Sequence, residues 1–197
     1  SVKLPTYSDP FLVSSASSRL SNVDNIVFGN SSTSWDIYTG LGMIGGRLTE
    51  EEVALARMVR ALADRELAPR ASEYDRTEKF PKQNIAEISR LGLFGLSLDV
   101  KFGGSGGTIR QLAIVTEEVS RGCAATGTIY GAHLSLCARY IDRFGTELQK
   151  SKYLPALANG ACIGAFALTE AEAGSDAAAL KTTVRDGPDG FVVSGSK

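Results

Sequence analysis

The chain has 197 residues, which at ~150 residues per domain predicts one domain, or one domain and part of another. It carries 21 basic and 22 acidic residues, and that near-neutral balance excludes a general nucleic-acid footprint and a polybasic membrane anchor. With 43% hydrophobic and 22% charged residues the composition is globular, and no apolar run approaches the ~18 residues of a membrane span.

Residues 1–46 are rich in Ser, Gly and Asn, with strand-like runs at Asn25–Phe28 and Trp35–Tyr38, and are expected to form an extended arm. They end in Gly40-Leu-Gly-Met-Ile-Gly45, a literal G-x-G-x-x-G. The dinucleotide motif works because a helix begins inside it, with pyrophosphate on free backbone N–H groups. Here the helix signal begins only at Thr49, so a hinge is the expected role.

From Leu48 the pattern is helical. Thr49 and Glu52 form a capping box, three glutamates occupy the positive end of the dipole, and Val53, Ala56, Val59, Leu62 and Ala63 share a face. Pro69 is expected to end or kink this helix. A second helix is predicted over Gln83–Leu91, stopped by Gly92. Leu93–Val100 reads as strand-like and leads to Gly103-Gly-Ser-Gly-Gly107. Helices are then predicted over Thr108–Ser120 and Ala125–Phe144, the latter closed by Gly145. A Thr146/Gln149 capping box opens a last helix that ends before Asn159-Gly160. The period then changes. Cys162–Leu168, Thr182–Arg185 and Phe191–Ser194 read as strands, the last two joined by Asp186-Gly-Pro-Asp-Gly190. The expected fold is therefore α+β, with a helical bundle domain over residues 47–158 and the start of an antiparallel β-domain over 159–197.

Gly103–Gly107 is a literal G-x-S-x-G, but a hydrolase triad needs its histidine on a loop after a strand. His133, the one histidine, lies within a helix beside Tyr130, Leu134 and Ile141 and is expected to be partly buried and satisfied. Cys123, Cys137 and Cys162 are odd in number and lack a C-x-x-C pair, so inert buried thiols in a reducing compartment are expected, with no metal site.

Phe166-Ala-Leu-Thr-Glu-Ala-Glu-Ala-Gly-Ser-Asp176 carries the chemistry. A strand ending at Leu168 would leave backbone N–H and C=O groups free to pair with a flat heterocycle. The Thr169 hydroxyl can donate to a ring nitrogen, and Gly174-Ser175 permits close backbone approach. The plainer reading is a helix-entry loop, with a Thr169/Glu172 capping box and Ser175 or Asp176 capping the residues that follow.

The run A-L-T-E-x-x-A-G-S-D at residues 167–176 resembles the signature of the acyl-CoA dehydrogenases. Leu91-Gly-Leu-Phe-Gly95, Phe102-Gly-Gly-Ser-Gly106, Glu117-Glu-Val-Ser-Arg121, Phe144–Lys150 and Lys152–Ala158 extend the resemblance across residues 47–197 in the family's order. It implies a helical domain followed by a β-domain, FAD as cofactor, and α,β-dehydrogenation of an acyl-CoA with hydride passing to flavin N5. Phe166, Leu168, Thr169, Gly174 and Ser175 match cofactor-binding positions. Thr169 matches the hydroxyl at N5, and Ser175 matches a position that also meets the acyl-CoA. Tyr130–His133 with Leu136-Cys137 is most similar to the isovaleryl-CoA dehydrogenases and implies a short branched acyl group. The resemblance further implies an electron-transfer flavoprotein as acceptor, an oligomer (a tetramer in the family), and a cytoplasmic or mitochondrial matrix location.

Three departures accompany it. Ala171 replaces the family's usual Pro, and Asp99-Val-Lys-Phe-Gly-Gly104 replaces P-E-E-Y-G-G. Gly195-Ser-Lys197 matches the start of a strand whose flavin-packing continuation is not among these residues. Nor is the C-terminal helical domain that supplies the family's glutamate base, so no catalytic residue is assigned and turnover is expected to need that part. A flavin oxidase or monooxygenase on the same fold, and a non-catalytic FAD- or acyl-CoA-binding subunit, are the alternative expectations.

Overall fold

A computed structural model describes residues 48–188 and 190–197, which divide into two units, 48–164 and 165–197. The hinge expected at Gly40–Gly45 and the two strand-like runs before it lie outside the described residues. The α+β order holds: helices fill the first unit, and the second contains one antiparallel pair of strands.

Helix α1 spans Glu50–Leu62 and begins at the predicted capping box. The Thr49 hydroxyl accepts from the Glu52 N–H, and the Glu52 carboxylate accepts from the Thr49 N–H at 2.8 Å. Pro69 does not stop the chain's helical course. A π-helical turn over Ala63–Leu67 comes first, and α2 (Ala68–Thr77) restarts with Pro69 in its first turn. The π-helical turn lies directly before the proline, whose missing N–H leaves the continuous helical ladder short of one bond. Helix α3 (Lys82–Arg90) ends as predicted at Gly92, whose φ of 69° is left-handed.

The apolar run Leu93–Val100 is not a strand. It forms short 3₁₀ turns over Leu93–Gly95 and Val100–Phe102. Its carbonyls are taken by the glycine loop, with Ser105, Gly107 and Gly106 N–H groups donating to Gly95, Leu96 and Leu98 at 2.9, 2.7 and 2.9 Å. Helix α4 (Ile109–Gly122) opens on a further capping box, Thr108 with Gln111. The long helix predicted next is α5 (Ala124–Gly131), a π-helical turn (Ala132–Ala138) and α6 (Arg139–Phe144). Helix α7 (Glu147–Ala158) starts at the predicted Thr146/Gln149 box.

The core of this unit gathers Val59, Leu67, Ile88, Phe94, Leu98, Val115, Val119, Tyr130, Leu134 and Leu154, all fully buried. Helix α4 runs through its centre, packed against both α1 and α5. The contact with α5 is close because residue 127 is glycine: a Cβ there would fall 2.0 Å from Ser120 Oγ and 2.7 Å from Ser120 Cα.

Two fork-shaped ion pairs tie α1 to α4. Arg60 donates to both oxygens of Glu118 at 2.9 and 2.6 Å, and Glu118 is 1% exposed. Arg110 likewise grips both oxygens of Glu52. Bidentate charge-assisted pairs of this kind are the strong class of side-chain hydrogen bond.

In the second unit, β1 (Thr183–Gly187) and β2 (Gly190–Ser194) pair antiparallel, with Val184 opposite Val193 and Gly187 opposite Gly190. Cys162–Leu168, expected as a strand, is in no ladder; β1 and β2 form the one sheet among the described residues. An apolar run makes a strand only where a neighbour supplies its backbone partners. None of the three cysteines forms a disulfide. Cys123 is buried, while Cys137 and Cys162 are half-buried.

The Arg110 pair, with the Thr49 N–H behind it, holds Glu52 down to about 2 from its ordinary 4.5. A carboxylate depressed by folding stabilises the fold above its unfolded pKa and loses that contribution as pH falls through the folded one. Glu52→Gln should therefore lower denaturant midpoints at neutral pH and flatten their decline between 4.5 and about 2. Equal decline in both proteins would show that the pair contributes nothing.

Candidate functional site

The residues singled out from sequence fall in two places. Phe166, Leu168, Thr169, Gly174 and Ser175 lie together on one loop of the second unit, while Ser105 and His133 belong to the first unit. Ser105 is exposed on the glycine loop. His133 is fully buried, and its Nδ1 already accepts from the Gly164 N–H at 2.9 Å. The two do not hydrogen-bond, so the G-x-S-x-G run is a backbone staple rather than a nucleophile elbow.

His133 departs from expectation in two ways. It is completely rather than partly buried, its ring 4.6 Å from that of Phe94, and its Nε2 has no hydrogen-bond partner among the described residues. Burial pulls its pKa down to about 4. The neutral ring accepts at Nδ1, which leaves the proton on Nε2. Gly164 can approach it because a Cβ at that position would fall 2.5 Å from Cys137 Sγ.

The signature loop is built by one carboxylate. Glu170 pairs with Ala173 through reciprocal backbone bonds of 3.0 and 3.2 Å, which closes a tight turn. Its side chain reaches away from that turn. Glu170 Oε2 accepts from the Lys181 N–H at 2.7 Å, and Oε1 accepts from the Thr182 N–H at 3.1 Å and the Thr182 hydroxyl at 2.5 Å. The Lys197 ammonium lies 2.9 Å from Oε1 and also donates to the Leu168 carbonyl at 2.8 Å. The Thr182 hydroxyl foremost, then the Lys181 N–H and Lys197, draw Glu170 down to about 2. The carboxylate is therefore a fixed anion and no proton acceptor at neutral pH.

This corrects the simple loop expected from sequence. No Thr169/Glu172 capping box forms, because residues 170–173 close a turn rather than open a helix, and Glu172 pairs with Lys181. Asp176 is the cap, its Oδ1 accepting from the Ala178 N–H at the 3₁₀ turn Ala177–Ala179. The Leu168 carbonyl, expected to be free for a heterocycle, is engaged by Lys197. The hub role of Glu170 escaped sequence reading, since its partners stand 11 or more positions away and nothing in their spacing marks them.

The loop leaves several donors open. Among the described residues the Leu168 and Thr169 N–H groups and the Thr169 hydroxyl make no hydrogen bond, and Thr169, Gly174 and Ser175 are exposed. A Cβ placed on Gly174 would meet nothing within 4 Å, so the space beside that backbone is open. Phe166 and Leu168 are 42% and 40% exposed, offering apolar surface beside these donors. The donor set fits the edge of a flavin ring. Among the described residues no cluster of three or more His, Cys, Asp or Glu is arranged to hold a metal, and no helix is long and apolar enough to cross a membrane.

A family model described as the N-terminal domain of acyl-CoA dehydrogenases matches residues 49–161. The chain belongs to the acyl-CoA dehydrogenase family. A short-chain specific acyl-CoA dehydrogenase of Clostridium acetobutylicum is 43% identical over 150 residues, covering 76% of this chain and 40% of that protein. A mitochondrial isovaleryl-CoA dehydrogenase of Bos taurus is 40% identical over 154 residues, covering 76% of this chain and 36% of its own length. Among solved structures, an acyl-CoA dehydrogenase of Bacillus anthracis complexed with FAD superposes with a TM-score of 0.70 at 34% identity, over 75% of this chain and 26% of that one. The chain thus spans well under half the length of these family members.

His133 yields a test. Its depressed pKa means that the neutral ring stabilises the fold fully above 6.5, and that this contribution is lost as pH falls toward about 4. His133→Phe should remove that pH dependence. It should also cost about 1–3 kcal/mol at neutral pH by leaving the Gly164 N–H unpaired. Urea unfolding at neutral pH and near pH 4 measures both effects, and an unchanged pH slope would refute the assignment.

Proposed function

We propose that this chain supplies the helical domain and the flavin-facing loop of an FAD-dependent acyl-CoA dehydrogenase acting on a short acyl-CoA. The observation that carries the reading is the signature loop of Phe166–Asp176. It presents donors of Leu168 and Thr169 that are unpaired among the described residues, on a turn locked by Glu170, in a chain of this family. Residues 47–158 would form the helical domain and 159–197 the beginning of the β-domain.

Bound there, FAD would supply the hydride-accepting ring for oxidation of the acyl Cα–Cβ bond. Phe166 and Leu168 would cover part of that ring with apolar surface. The Leu168 and Thr169 N–H groups would pair with its polar edge. The Thr169 hydroxyl would donate where negative charge develops, which is where a fixed donor accelerates a reaction most. Gly174 would let backbone approach the ring, and Ser175 would contact both cofactor and acyl-CoA. Glu170, fixed by four donors, holds the loop and does not exchange protons with substrate. The relatives, one short-chain specific and one named for isovaleryl-CoA, support a short straight or branched acyl group. An electron-transfer flavoprotein as acceptor and an oligomeric assembly belong to the same proposal.

The test is anaerobic mixing of the flavin-loaded full-length protein with a short acyl-CoA. Bleaching of the flavin with formation of the 2-enoyl thioester supports the reading, whereas rapid peroxide formation in air would favour an oxidase. Thr169→Ala should slow flavin reduction by roughly a hundredfold, the usual cost of one donor at a developing charge. Flavin retention should change far less. Unaltered reduction kinetics would remove Thr169 from this role.

A further inference from the structure

The ammonium of Lys197 sits between two acceptors, the Leu168 carbonyl at 2.8 Å and Glu170 Oε1 at 2.9 Å. Its side chain is 26% exposed and that of Glu170 is 9% exposed. Glu170 is in turn fixed to the start of β1 by the Lys181 and Thr182 N–H groups and the Thr182 hydroxyl. One charge pair thereby joins three stretches of chain: the signature loop, the entry to β1 and the segment leaving β2.

The effect on the loop follows from peptide geometry. In a trans peptide the C=O and N–H point to opposite sides of the chain. The carbonyl of Leu168 and the N–H of Thr169 belong to one such plane. With the carbonyl drawn toward Lys197, the Thr169 N–H is turned to the opposite side, where it has no partner among the described residues. Freed of Lys197, this peptide could rotate and offer its carbonyl to the same side, replacing a donor by an acceptor.

We propose that Lys197 and Glu170 are positioning residues for the cofactor: the shared ammonium fixes the Leu168–Thr169 peptide so that its donor, not its acceptor, faces the flavin. The inference rests on the flavin reading above and adds to it the residues that set the loop's polarity. Neither residue touches the reacting atoms. Lys197 acts through the Leu168 carbonyl, and Glu170 acts through Lys197 and the β1 amides.

The experiment compares the full-length protein with Lys197→Met, Lys197→Arg and Glu170→Gln. It reads FAD affinity by fluorescence quenching, the visible flavin band, and amide exchange at Lys181 and Thr182. Loss of a charge-assisted contact predicts FAD binding weaker by roughly tenfold in Lys197→Met and Glu170→Gln, with a displaced flavin band. Lys197→Arg, which keeps charge and reach, should recover most of the affinity. Lys181 and Thr182 amides should exchange faster in Glu170→Gln, with helical circular dichroism unchanged. FAD affinity and band position identical to wild type in Lys197→Met would overturn the proposal even if the amides loosen. Equal losses in the Arg and Met variants would overturn it too, since a retained charge would then confer nothing. A wild-type protein that takes up no FAD refutes the flavin reading and this positioning role with it. That result is told apart from the others because it requires no variant.

Discussion

A buried carboxylate organises the helical unit. Glu118 sits on α4, in the midst of the stripe that also carries Val115 and Val119, with almost no exposure to water. An ion in such a place is tolerable only when opposite charge and hydrogen bonds replace its hydration. Arg60 from α1 supplies two bonds and Arg121 a third, itself tied to Asp64. The requirement fixes how far α1 can slide along α4, since a shift of one turn would strand the charge. Apolar packing, which is non-directional, could not impose that register. Helix α5, which leads into the turn that carries His133, packs on the same helix α4.

Much of the helical architecture was legible because its boundaries are chemical. The Thr49/Glu52 and Thr146/Gln149 boxes announce helix starts with side chains that satisfy specific backbone donors, and the structure forms both. The π-helical turns at Ala63–Leu67 and Ala132–Ala138 carry no such mark. Each adds one residue to a turn without breaking the helix, and Ala, Leu and Ser suit either winding. The two misread strands, at Leu93–Val100 and Cys162–Leu168, share a different cause. A short apolar run is equally content as a buried turn or an extended segment. Which one forms depends on who supplies the hydrogen bonds. For Leu93–Val100 the supplier is the glycine loop, whose N–H groups take the carbonyls that a neighbouring strand would otherwise claim.

The site was legible in a narrower sense. The candidate site was proposed from a ten-residue signature, and the Leu168 and Thr169 donors there make no hydrogen bond among the described residues. How the loop keeps its shape was not legible, because the shape is decided by contacts distant in sequence. Glu170 reads as an ordinary signature acid until Lys181, Thr182 and Lys197 fold onto it. Ala171 lacks the ring by which a proline defines the backbone of the loop. The Glu170–Ala173 bridge and the four donors on the carboxylate restore that definition by hydrogen bonding rather than by ring constraint.

The contact of Gly127 with Ser120 bears on how this sequence can drift. Many tight packing sites evolve in pairs, one residue growing as its neighbour shrinks. Here a Cβ at residue 127 collides with the neighbour's main chain as well as with its hydroxyl. No substitution at residue 120, glycine included, clears the way. The position has no single compensating partner, and a lineage that leaves glycine here must move a helix to do so.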